Sequence, residues 1–293
     1  MVRGVRWYLV GSCGPLLLAA LAGCSGWIFA QREPWRHDAE IACFNSGAVQ
    51  EGTGRVRIAA ITGPGICGAD FPLKISVLGG SEALGYGDEL RPPSTWRGAA
   101  AAGPVSVMPT ATLACPITSA LDRWIGSSVQ GAAMRWFGEP VVEIRQISAY
   151  SCRGMNGDPH AQISEHAFGN ALDIAAFTLA DGRAITVKDG WNGSPEEQGF
   201  LRDVQAAACE EFTTVLAPGS NAFHYNHIHV DLMRRANGRH ACDPSAVSGE
   251  AIAARARARF GARPAGAVRV TGSIGRPATP AARYAVPGAD GVD

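Results

Sequence analysis

Apolar positions along this chain change their period several times, and each change marks an element. Ile117, Leu121, Trp124, Ser128, Ala132 and Trp136 recur at helical spacing, which predicts a helix over 116–137. Pro116 suits its first turn, and Gly138 and Pro140 end it. Val141 to Tyr150 then reads as a strand, residues 160–170 as a loop or short helix, and Leu172 to Phe177 as a second strand. Asp181-Gly182 is a turn signal before a partner strand around Ile185 and Val187. A second helix is predicted from Pro195 to Phe212, with Phe200, Val204, Ala207, Ala208 and Phe212 on one face, followed by a strand from Phe223 to Leu232.

The flanks are less regular. Residues 31–42 read as a short stem, and residues 43–97 as Gly- and Pro-rich irregular strands around Val56–Ile61 and Leu73–Leu78. Gly98 to Gly103 is an Ala-rich break. From about Ala246 the chain alternates Ala and Arg, then turns Pro- and Gly-rich, a composition that predicts disorder. The expected organisation is a membrane anchor or signal segment (1–30), a disulfide-stabilised region (31–103), a catalytic domain (104–245) and a disordered basic tail (246–293). The fold class expected is α+β: a small, mainly antiparallel sheet flanked by the helices at 116–137 and 195–212.

Composition narrows the setting. Hydrophobic residues make up 46% and charged residues 18%, a globular balance, and a formal net charge of zero argues against nucleic acid as a partner. Arg3 and Arg6 precede a mostly apolar run of 24 residues, Trp7 to Ala30, long enough to span a bilayer. Leu21-Ala22-Gly23-Cys24 also reads as a lipoprotein cleavage box. An uncleaved anchor, a lipidated Cys24 and ordinary cleavage all place the body outside the cytoplasm, on the periplasmic face of a bacterial inner membrane. Six cysteines follow (Cys43, Cys67, Cys115, Cys152, Cys209 and Cys242), an even number that suits disulfides in an oxidising compartment. Six allow 15 pairings. The local choices are Cys43 with Cys67 and Cys209 with Cys242, which leaves Cys115 with Cys152.

Four of the seven histidines fall in two short segments, Ser164–Asp173 and His224–His229. A catalytic zinc site takes three protein ligands and keeps one position open. His166, Asp173 and His229 are the candidate ligands. Asp173 opens an apolar strand, where a carboxylate is costly to bury without a partner and a divalent cation would compensate it. On the strand expected at Phe223–Leu232, His227, His229 and Asp231 share one face and Ile228, Val230 and Leu232 the other. One imidazole can then bind metal while His227 stays free to move protons. His224 lies just upstream, within reach of the same cleft. His37, His160 and His240 belong to no pattern and read as surface residues.

Ser164-x-His166-x-x-Gly169-x-Ala171-x-Asp173 followed by His227-x-His229 resembles the zinc peptidase superfamily of D-Ala-D-Ala carboxypeptidases, lysostaphin and murein endopeptidases. More closely, Tyr150-Ser151-Cys152-Arg153, Ser164-Glu165-His166, Asp173-Ile174 and His224-x-x-His227-x-His229-x-Asp231 resemble the bacterial extensin-like family. The resemblance covers roughly Trp35 to Cys242. It implies a D-Ala-D-Ala metallopeptidase-like fold, with Zn2+ held by His166, Asp173 and His229. It also implies His227 as general base or acid, His224 as support for the oxyanion or substrate, and Arg153 as a binder of substrate carboxylate or carbonyl. Ser164 orients the loop, and Glu165 is expected to be solvated. The carboxypeptidases carry a catalytic Glu where this chain has Asn226, so the resemblance points to the His-x-His endopeptidase branch. The activity it implies is hydrolysis of peptidoglycan peptide cross-links, with peptidoglycan as the partner. Two alternatives stay open: a non-catalytic wall-binding module on the same fold, and a non-haem iron oxygenase built on the same two-His, one-carboxylate set.

Overall fold

The computed structural model describes residues 32–79 and 103–261. The expected anchor, the Cys24 box, most of the Gly98–Gly103 loop and the tail beyond 261 lie outside these residues. Among the described residues no helix is long and apolar enough to cross a membrane.

The first part of the chain forms helix α1 (Pro34–Asn45) and strands β1 (Arg55–Arg57), β2 (Ile61–Thr62), β3 (Gly68–Ala69) and β4 (Leu73–Leu78). Strand β5 (Val105–Leu113) leads into a long helix made of α2 (Cys115–Trp124), a π-helical turn (Ile125–Val129) and α3 (Gln130–Phe137). Next come β6 (Val141–Ser148), a 3-10 turn (Glu165–Phe168), β7 (Ala171–Leu179), β8 (Ala184–Thr186), the single turn α4 (Val187–Gly190) and α5 (Pro195–Glu211). Strands β9 (Thr214–Leu216), β10 (Ile228–Asp231) and β11 (Ala241–Asp243) and helix α6 (Gly249–Gly261) complete the order.

The α+β class holds, but the sheet is not small, and it is mixed rather than antiparallel throughout. It has nine strands in the order β1-β4-β5-β6-β7-β10-β9-β11, with β8 beside β7. It is mixed, because β5 runs parallel to β6 and β9 parallel to β11. The long helix between β5 and β6 is the crossover that a parallel pair requires. From the stretch before residue 80, β1 and β4 belong to this sheet, and β4 pairs with β5.

Helix 116–137 forms as expected, with one change of register. Ser128 is only half-buried, and Val129 takes its place in the core. The π turn inserts an extra residue, so the apolar stripe steps by one position before continuing at Ala132 and Ala133. Helix α5 starts at a capping box, in which the Ser194 hydroxyl accepts from the Glu197 N–H and the Glu197 carboxylate accepts from the Ser194 N–H. The helices cover one face of the sheet through stacked aromatics: Trp124 lies edge-on to Phe177 and Phe212, and Phe200 to Phe177 and Phe137. Gly199 lets the Trp136 indole pass, since a Cβ there would stand 2.4 Å from the ring.

Four expectations change. Residues 34–42 of the expected stem belong to the docked helix α1, with Arg36 and Glu40 buried. The strand expected at Phe223–Leu232 shrinks to Ile228–Asp231, and Phe223–His227 is loop. The tail expected to be disordered from 246 begins as α6, whose Ala253 and Ala256 are buried. The disulfides are Cys43–Cys115, Cys67–Cys152 and Cys209–Cys242, so only the last follows the local pairing. Sequence proximity misled because Cys43, near the end of α1, meets the first residue of α2, and Cys67, beside the β2–β3 hairpin, meets the loop after β6.

Candidate metal centre

Strand β7 carries Asp173 in the middle of the sheet, buried on both sides by its neighbours. In register, β10 sets His229 directly across from Asp173, and β6 sets Ser148 on its other side. A bulge follows at once: Gln146 pairs with Ile174, whereas Arg145 pairs with Ala176, so Ala175 is the extra residue. The alternation of β7 reverses there. Asp173 and Phe177 therefore face opposite sides of the sheet although they are four residues apart, one toward the cleft and the other into the aromatic core.

His166 arrives from the 3-10 turn that precedes β7. The Ser164 hydroxyl caps that turn by accepting from the His166 N–H. Gly169 closes it in the left-handed conformation at φ +63°, and a Cβ there would meet the Ala114 nitrogen at 3.2 Å. The turn is anchored to β5 by Ala114 N–H donating to Gly169 O, and to the end of β6 by Ser151 N–H donating to His166 O.

His166, Asp173 and His229 thus form one buried cluster of a kind that can hold a metal ion. Nε2 of His166 lies 3.2 Å from Oδ1 of Asp173 and 3.3 Å from Nδ1 of His229, and Nδ1 of His229 lies 2.8 Å from the same oxygen. Ligands about 2.1 Å from a tetrahedral ion stand about 3.4 Å apart. Two of the three separations already match that spacing, and the third must widen by roughly half an ångström. The donor set, two imidazoles and one carboxylate, suits zinc and other borderline divalent ions.

The far nitrogens of both imidazoles are held as well. Nδ1 of His166 donates to Ala149 O at 2.6 Å, which leaves Nε2 with its lone pair toward the cluster. Nε2 of His229 faces Oδ2 of Asp231 at 2.9 Å, and Oδ1 of Asp231 accepts from Met233 N–H. Such outer partners fix the ring and raise its basicity as a ligand. Burial alone would lower the His229 pKa, but its hydrogen bonds to Asp173 and Asp231 raise it to about 9. For Asp173, burial pushes the carboxyl up, and the hydrogen bonds from His166 and His229 more than reverse this, holding it well below the usual carboxylate range.

His227 and His224 line the same cleft without joining the cluster. Nε2 of His227 is 3.5 Å from Oδ1 of Asp173. Nδ1 of His227 donates to Oδ1 of Asn226, and Nδ1 of His224 to Oδ1 of Asn221. Each therefore turns an unprotonated Nε2 away from its anchor. Burial first, and then the neighbouring imidazoles, depress His224 to about 4. Burial also lowers His227, partly opposed by Asp173. Arg153 completes the wall: Nη2 donates to the Ser148 hydroxyl at 3.2 Å and lies 3.6 Å from Oδ2 of Asp173, with the guanidinium partly in solvent. The cleft has a volume of about 580 Å³, and Ile147, Met155, Phe223 and Tyr225 lie around it.

All six expected site residues thus come together. Three points were not expected. Glu165 is not solvated but buried, bonded by both oxygens to Arg36. Asn226 is not merely a missing glutamate, since it sets the tautomer of His227. Asp231 and Asn221 take orienting roles; for Asp231 the His-x-Asp alternation carried the signal, whereas nothing marks Asn221 in a polar loop.

Fold and cleft define an α+β protein with a buried two-histidine, one-carboxylate cluster beside two further histidines. Residues 91–243, just over half of the chain, match the family described as Extensin-like protein C-terminus, and the chain belongs to that family. No match was found among curated proteins or among solved structures.

Proposed function

We propose that this protein is a zinc-dependent hydrolase of peptidoglycan peptide cross-links, related to the superfamily of D-Ala-D-Ala carboxypeptidases, lysostaphin and murein endopeptidases. The observation that carries this reading is the division of labour in the cleft. Three side chains converge as ligands with their outer nitrogens anchored, while two more imidazoles stand beside them with free Nε2 atoms. A purely structural metal site is closed by a fourth protein ligand; His227 instead keeps its own anchor on Asn226.

Zinc bound there would polarise the scissile carbonyl and acidify a water molecule. His227 takes the proton of the attacking water at Nε2 and returns it to the leaving amine. Its Nδ1–H stays on Asn226 throughout, which keeps the tautomer fixed. His224 remains neutral near pH 7, because its pKa lies far below, and its unprotonated Nε2 accepts a hydrogen bond from a substrate amide N–H, while Arg153 supports the developing oxyanion or a substrate carbonyl. Arg153 also offers the outer edge of its guanidinium to a substrate carboxylate. Three disulfides suit an oxidising compartment, and peptidoglycan is the abundant amide polymer there.

The test is incubation of the purified protein with cross-linked muropeptides, with and without a chelator, followed by chromatography of the products. Zinc-restored cleavage of the cross-link is expected. Muropeptides that stay intact while zinc is bound stoichiometrically would instead point to a wall-binding module.

A further inference from the structure

The turn that carries His166 is gripped from outside the family-matched residues. Glu165 and His166 are neighbours with opposite duties: His166 enters the cleft, and Glu165 points toward α1. Nη1 and Nη2 of Arg36 each donate to one Glu165 oxygen at 2.8 Å, a two-pronged pair in which both residues are almost fully buried. Nδ2 of Asn170 donates to the same carboxylate at 2.6 Å, and its backbone N–H donates to Glu165 O. The Arg36 guanidinium lies 3.7 Å over the Phe168 ring, at the last residue of the turn, and 4.3 Å over Trp35. Its Nε is taken by Glu33. Each of the three guanidinium nitrogens thereby donates a hydrogen bond, and both ends of the four-residue turn are held.

We infer that Arg36 and Glu165 are positioning residues for the metal centre: α1 clamps the Glu165–Phe168 turn so that Nε2 of His166 faces Asp173 and His229. This rests on the metal reading above. The physical reason is the cost of a buried carboxylate. Without the guanidinium, Glu165 must reach water, and the turn must move with it. His166 is on the next residue, so its ring moves too. Arg36 lies 129 residues before Glu165 and outside residues 91–243, so the family-matched segment alone lacks a part that sets its own ligand geometry.

The experiment uses the full chain and zinc itself. Zinc affinity is measured by competition with a chromophoric chelator, and the thermal midpoint is measured in excess chelator. Arg36→Met and Glu165→Gln are expected to weaken zinc binding by about tenfold or more, the scale of losing an outer-shell partner. Arg36→Lys, which keeps the charge but not the fork, should fall between them and the parent. Arg55→Lys disturbs another buried ion pair, with Asp122, on a strand separated from β7 by β4, β5 and β6. It should lower the midpoint and leave zinc affinity unchanged. If Arg36→Met does not fold, Arg36→Lys and Asn170→Ala carry the measurement, each with a smaller expected loss. Folded variants that bind zinc as tightly as the parent would overturn the clamp while leaving the metal centre intact. A parent that binds no zinc would remove the metal reading itself, and the clamp with it.

Discussion

His229 on strand β10 and His224 on the loop before it have ring centroids only 5.7 Å apart, yet their proton affinities diverge in opposite directions. His229 sits between Asp173 and Asp231 and is raised to about 9; His224 is buried against other imidazoles with an asparagine for an anchor and falls to about 4. Burial lowers both. What separates them is whether a carboxylate accepts the proton-bearing nitrogen. The strand offers carboxylates because its two-residue period puts His229 and Asp231 on one face opposite Asp173, whereas the loop offers only neutral amides. A carboxylate-flanked imidazole on the sheet thus has its proton affinity raised, and an amide-anchored imidazole on the loop has it lowered.

The largest break in this comparison removes the ligands. His166→Ala and Asp173→Ala should each lose zinc and fall to background cleavage, read by metal analysis of the purified variants; normal zinc content in both would sink the ligand assignment. His227→Ala should keep its zinc and lose turnover by about 10²–10⁴-fold, the scale of one proton-transfer group. Loss of metal in that variant would move His227 into the ligand set. Asp231→Asn keeps shape but withdraws the charge behind His229. Zinc affinity should weaken by about 10–100-fold, with the fold unchanged by circular dichroism.

The smallest effect sharpens the contrast through pH. In chelator-treated protein, His224 has its pKa depressed to about 4 from 6.5, so it contributes stability present above about pH 6.5 and lost as pH falls toward 4. His229 is raised to about 9, so it contributes stability present below about pH 6.5 and lost as pH rises through 9. Denaturation midpoints should therefore rise and then fall across this range. Zinc should flatten the alkaline limb, because binding displaces the His229 Nδ1 proton. An alkaline limb unchanged by zinc would mean that His229 is not a ligand.

Much of the candidate site was legible beforehand because its signals are local. Ser164, His166, Gly169 and Asp173 lie within one turn and one strand start, and His229 with Asp231 follows strand alternation. The helices at 116–137 and 195–212 were legible for the same reason, since their apolar stripes and caps lie within the segments themselves. The extent of the sheet was not. β1 and β4 are short and sit in a Gly- and Pro-rich stretch, and they become strands of this sheet only by pairing with β5. The Arg36–Glu165 pair was equally hidden, because Arg36 belongs to no local pattern in the stem and Glu165 reads as solvated.

The sequence by itself determined which side chains could meet a metal, the helical stripes and the alternation of β10, because each of these depends on neighbours within a few residues. Tertiary structure alone decided the partners of Cys43 and Cys67, the β7 bulge that turns Asp173 and Phe177 to opposite faces, and the burial of Glu165 against Arg36. Those are set by contacts between segments tens of residues apart, or, for the bulge, by pairing with β6, and no local period encodes which distant partner a strand edge or a buried charge will find.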